Sequence, residues 1–256
     1  MVRIVALSCF SAGTQHCSQS QHDARFAMLI QEGDSRTTRI DLMLAAILAF
    51  VAGTVNSAGY FAFGYFSANM TGNVSLISDH ISLEQFAIAT AFASIVVLFI
   101  MGAFAASLFI QLGKHKNWRR VYALTLLAEA CLLLVVGALD IHGSGPLIGT
   151  LIVGILSFTM GIQNAASTRM STGRVRTTHV SGVATDIGVG LATLWHSHSK
   201  EASSATIQRL KLHSATIVSF LFGGIVGVFS YRLMQGAIFW AASVPLFLLC
   251  ARYLKR

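Results

Sequence analysis

The sequence predicts an all-α integral membrane protein, a polytopic bundle of six transmembrane helices built as two inverted three-helix repeats. The composition, the spacing of the apolar segments and a motif that occurs twice carry that expectation. Of 256 residues, 54% are hydrophobic and 11% charged, with a mean hydropathy of +0.67. A soluble domain carries about 25% charged residues, so this chain has too few to coat a water-facing surface. With 2 prolines the apolar runs go almost unbroken. The composition excludes disorder, a collagen-like fibre and a disulfide scaffold, and it argues against a soluble enzyme.

In chain order, residues 1–41 are mixed and polar, with Arg3, Arg25, Arg36 and Arg39. The apolar stretch 4–10 is followed by no cleavage signal. The segment reads as a cytoplasmic tail, with Met28 as an alternative start. Six apolar segments follow, at 42–65, 86–112, 121–139, 145–168, 214–231 and 234–251. Each has the length a span requires, about 17–25 residues. Lipid offers the backbone no hydrogen-bond partners, so these are expected as helices. The alternating segments of about 10 residues that mark a membrane β-barrel are missing.

The links set the orientation. Lys114, Lys116, Arg119 and Arg120 lie in one link, and Arg169, Arg174, Arg176, Lys200, Arg209 and Lys211 in another. Arg252, Lys255 and Arg256 close the chain, whereas the links 66–85 and 140–144 carry only acidic charges. With both termini inside, 17 of the 18 Lys and Arg residues are cytoplasmic and Arg232 is the exception. This asymmetry predicts a multi-pass protein of the cytoplasmic (inner) membrane with both ends in the cytoplasm. It also accounts for the net charge of +8 without nucleic acid, so the expected partner is the bilayer.

The chain repeats itself. Gly53, Asn56 and Ala58 recur 108 residues later as Gly161, Asn164 and Ala166, and Thr71-Gly72 recurs 110 residues later as Ser181-Gly182. Two blocks in register imply a first repeat over 42–140 and a second over 141–256. Three helices per copy is an odd number, so the second copy starts on the opposite side of the membrane.

These blocks carry a resemblance. Gly53–Asn56 with Phe66-Ser-Ala-Asn-Met-Thr-Gly-Asn73, then Gly161-Ile-Gln-Asn164 with Val175–Gly182 and Thr185-Asp186, are similar to the two signatures of the YoaK-type family of uncharacterised bacterial membrane proteins. The resemblance spans roughly residues 40–255. It implies a fold and a membrane location, and no substrate. Relatives often show Asp where this chain has Asn56, and the departure removes a carboxylate that proton coupling would use.

The expected function is a small-molecule or ion transporter or channel with a polar pathway at the repeat interface. Its candidate residues are Asn56, Asn73, Glu129, Asn164, His179, Ser181 and Asp186. Buried amides and a mid-span carboxylate such as Glu129 are costly in lipid and usually face partners or a cavity. Gly53, Gly72, Gly161 and Gly182 are expected as hinges or close-packing points. The segment 180–195 is too apolar for a plain loop and too short to span, which suggests a re-entrant or interfacial helix. The alternative from another class is a non-transporting scaffold, sensor or partner subunit, in which the motifs only pack.

Catalysis is not expected. His179, Ser181 and Asp186 have the residue types of a nucleophilic set but fall in one short segment, and no nucleotide or nucleophile-elbow fingerprint occurs. No metal or other cofactor is expected either. His196-Ser-His198 lacks an accompanying carboxylate or thiolate set, and Cys9, Cys17, Cys131 and Cys250 show no ligand spacing.

Overall fold

A computed structural model describes Leu29 and residues 36–118, 120–196 and 200–254. Most of the N-terminal tail, with the expected alternative start at Met28, lies outside the described residues, as do Cys9, Cys17 and His198.

The described residues form eight α-helices: α1 (Thr38–Phe63), α2 (Met70–Ser82), α3 (Phe86–His115), α4 (Val121–His142), α5 (Pro146–Ser171), α6 (Val180–His196), α7 (Lys200–Met234) and α8 (Ala237–Leu254). Five are long and apolar enough to cross a membrane: α1, α3, α4, α5 and the part of α7 from Ala202 to Met234. The sixth expected segment is helical too, but its apolar stretch Ala237–Ala251 is shorter. The links 66–85 and 169–213, expected as loops, hold α2, α6 and the first turns of α7. Their polar residues hid the helical path, because 13 residues rise only about 20 Å and cannot make a span.

Cross-helix contacts fix the directions. Thr38 Oγ1 donates to Gln208 Oε1 (2.9 Å) at the start of α1, and Phe61 meets the Tyr231 ring edge-on near its end, so α1 and α7 run parallel. Asp41, at the start of α1, pairs with Arg174 beyond the end of α5 (3.1 Å). Phe63, at the end of α1, sits against Gly149 near the start of α5, so these two helices are antiparallel. On α4 and α8, Trp240 Nε1 donates to Leu134 O (2.9 Å) and Cys250 Sγ to Ala123 O (3.2 Å), which is again an antiparallel pair.

Helices approach most closely where glycine removes a side chain. A Cβ on Gly53 would fall on Phe220 O of α7, and one on Gly223 would fall on Phe50 O of α1. A Cβ on Gly161 would fall on Phe99 O of α3, and one on Gly102 would fall on Phe158 O of α5. The two contacts correspond under the sequence offsets: Phe158 follows Phe50 by 108, and Gly223 follows Gly102 by 121. Each half of the chain therefore lends its leading helix to the other half. The main apolar core, with Leu44, Leu48, Leu126, Leu133, Leu156 and Phe239 fully buried, lies where α1, α4, α5 and α8 meet. Large apolar side chains on α3 and α7, such as Phe104, Ile100, Val218 and Phe222, point outward, as lipid-facing positions should.

Candidate central cavity

Two chain reversals build the site. Gly64 caps α1 in the left-handed region (φ 77), and Thr172, 108 residues later, caps α5 likewise (φ 50). After each cap the chain turns back into the bundle instead of leaving it. Ala68 N donates to Asn56 Oδ1 (2.9 Å), and Thr178 Oγ1 donates to Asn164 Oδ1 (2.8 Å). Each asparagine lies seven residues before its helix ends, so each loop dips about 10 Å back along the helix at 1.5 Å per residue. Each loop then starts a short helix: α2 after the first, α6 after the second.

Further bonds hold the loops. Asn73 Nδ2 donates to Phe66 O (2.9 Å), and the Phe66 ring stacks on Tyr60 at 4.0 Å. Ser157 Oγ of α5 donates to Ser67 O (3.2 Å). Gln163 Nε2 donates to Leu48 O of α1 (2.7 Å) and, at 3.4 Å, to Thr177 Oγ1. Without such partners, non-helical backbone at this depth would be too costly for a membrane protein.

The first turns of α2 and α6 line one cavity of about 1220 Å³. Asn56, Ser57, Asn69, Gly72, His179 and Ser181 contribute to its polar wall. The opposite wall is α7, from Ile217 to Arg232, a rise of about 22 Å at 1.5 Å per residue. That wall is mostly apolar: Phe220, Leu221, Ile225, Val228 and Phe229. The cavity thus extends from the level of Asn56 toward the end of the bundle where α1 and α7 finish.

The opposite end is closed by charge. Arg36 Nε bonds Asp41 Oδ1 at 2.6 Å, Arg174 takes Asp41 Oδ2, and the Asp41 side chain is 4% exposed. No acidic or basic pair occupies the corresponding place at the other end, where Gly149 and Gly64 stand at the repeat positions of Asp41 and Arg174.

Of the candidate residues, Asn56, Gly72, His179 and Ser181 line the cavity. Asn164 and Asn73 sit behind it and hold the loops. Gly53 and Gly161 are helix-contact points. Neither Gly72 nor Gly182 has a positive φ; both lie in first helical turns, where the reversals have already been made at Gly64 and Thr172. Asp186 lies elsewhere, half-exposed on α6 and 3.8 Å from His213 Nε2 of α7. Glu129 is fully buried in α4, away from the cavity lining, and neither carboxylate oxygen has a partner among the described residues. The three residues of the hypothetical nucleophilic set therefore do not converge through Asp186. His196 ends α6, and no group of three or more potential metal ligands occurs among the described residues. Two contributors went unselected in the sequence: Gln163, although it lies inside the repeated Gly161–Asn164 block, and Arg232, although it is the exception to the charge asymmetry.

Comparison with known proteins places the chain. A family model described as "Protein of unknown function (DUF1275)" matches residues 44–251, which takes in both motif blocks and every helix around the cavity. The UPF0700 transmembrane protein YoaK of Bacillus subtilis (strain 168) is 26% identical over 212 residues, covering 80% of this chain and 90% of that protein. No solved structure matches.

Proposed function

The chain belongs to the DUF1275 family and is an integral membrane protein, and on that premise we propose that it moves a small molecule or ion across the bacterial inner membrane by alternating access. In this reading α8 is the sixth span, both termini are cytoplasmic, and the halves 42–140 and 141–256 are inverted repeats with one re-entrant helix each. The observation that carries the proposal is the meeting of two short helices, from opposite halves of the chain, at one cavity inside the bundle. Inverted-repeat transporters place substrate at such broken helices, and a protein that only packs has no need of a cavity there. The exchanged contacts α1 with α7 and α3 with α5 give each half a rigid arm in the other. Rocking of the arms would open one end as the other closes. The Asp41 cluster is the latch of the closed end.

Paired spin labels test this. Labels at Arg39→Cys and Arg176→Cys report the latched end, and labels at Phe61→Cys and Leu147→Cys the opposite end, in a cysteine-free background. Alternation predicts two distances at each end, with populations that move in opposite directions when Asp41→Asn is added. One sharp distance at each end, unmoved by that substitution, would replace the transporter with the scaffold reading.

A further inference from the structure

We propose that the cavity binds an amphiphilic organic anion, its charged head at the starts of α2 and α6 and its apolar body along α7. The inference rests on the cavity of the preceding reading and adds the class of ligand it takes.

The polar wall is poor in free acceptors. Asn56 is 4% exposed; its oxygen is taken by Ala68 N–H, and its amide NH2 lines the cavity without an acceptor among the described residues. Asn69 repeats the arrangement: its oxygen caps Gly72 N–H (3.1 Å), which leaves its NH2 to the cavity. A buried amide with its acceptor used and its donors unspent is costly in an apolar setting and favours a ligand that accepts hydrogen bonds. Ser57, Thr71 and Ser181 add hydroxyl donors. The first-turn N–H groups of α2 and α6 cannot bond within their own helices and carry the positive end of the helix dipole.

Charge agrees with the donors. No Asp or Glu lines the cavity, whereas Arg232 does, together with His179. Arg232 forms no ion pair among the described residues. It stands eight residues beyond Gly224, about 12 Å toward the mouth at 1.5 Å per residue. A cation there draws anions in and disfavours cations, most strongly where water is scarce. A small inorganic anion would use the polar wall and leave the wall of Phe220, Ile225, Val228 and Phe229 bare. An apolar body on the anion covers it. That chemistry has two sources, a free alkyl carboxylate or an anionic lipid entering past α7.

The test is protection of a cavity thiol in nanodiscs. Ser181→Cys, with Ser57→Cys as a second site, is placed in a cysteine-free background and alkylated by a maleimide. Octanoate, octylamine, octanol and acetate are added in turn to discs of zwitterionic lipid, and the protein is also placed in discs containing phosphatidylglycerol. The expected result is several-fold slower alkylation with octanoate, little change with the other three, and about tenfold weaker octanoate protection in Arg232→Gln, as for a lost charge-assisted contact. If phosphatidylglycerol alone protects, the anion is a lipid; if only octanoate does, it is a free carboxylate. Equal protection by octylamine or octanol, or protection by none, overturns the proposal. The spin-label distances are independent of this result, so binding without alternation and alternation without anion binding are distinguishable.

Discussion

Alanine at Gly53 or at Gly161 is expected to lower the thermal stability of the purified protein sharply and to reduce the yield of folded material. At both positions the added methyl group falls on a backbone carbonyl of a neighbouring helix, Phe220 O or Phe99 O. A backbone oxygen cannot rotate away as a flexible side chain can, so the helices must separate along their whole contact. Overpacking of this kind costs about 1–3 kcal/mol, and here it also strains the bond from Thr54 Oγ1 to Gly223 O (3.1 Å). Gly182→Ala is the control, since nothing lies within 4 Å of its would-be Cβ, and its melting curve should match the parent. Melting in detergent micelles, read by size-exclusion profile after heating, checks all three. Unchanged melting of Gly53→Ala would mean that α1 and α7 are not held at this separation.

The second large effect is expected at Asp41. Its carboxylate is buried and accepts from Arg36 and Arg174, joining the start of α1 to the segment after α5. Asn in its place keeps the shape and removes the charge. A hydrogen bond to a charged group contributes about 1.5–3 kcal/mol, so losing even one shifts the balance between closed and open forms by roughly ten- to a hundredfold. The expected readout is a loss of the short Arg39–Arg176 label distance in the Asp41→Asn variant. Arg174→Gln should act in the same direction but less, because the Arg174 side chain is 38% exposed and water already screens it. Retention of the short distance in both variants would show that apolar packing, not charge, closes that end.

How much of this was legible in the sequence depends on what the membrane demands of each segment. The long helices show as apolar runs because lipid tolerates little else. The half-helices α2 and α6 face protein and a cavity, so they carry Ser, Thr, Asn and His, and by composition they read as loops. Their positions were still marked, because the duplicated Asn56 and Asn164 tie down the returning chain at the same depth in each half. The glycines of the motif divide by physics that spacing alone does not reveal. Gly53 and Gly161 serve helix contact, and the reversals fall on Gly64 and Thr172, of which the second has no glycine to announce it. Arg232 was visible as the one cation on the sparse side, but its place on the cavity wall required knowing that α7 turns that face inward. Asp186 and Glu129 drew attention as charges in apolar surroundings, yet pairing and burial in these helices place them away from the cavity.

The account stands on the two short helices meeting at a cavity that water enters from one end at a time. Thiol accessibility tests this most directly. Thr71→Cys and Ser181→Cys, each in a cysteine-free background, are exposed to a membrane-impermeant reagent from either side of sealed, oriented vesicles. The account predicts that both react from the side of Arg232 and resist the reagent from the side of Asp41, and that Asp41→Asn makes both reactive from the Asp41 side. If both sites stay unreactive from either side in the parent and in the variant, the motifs are dry packing and the transport reading is contradicted.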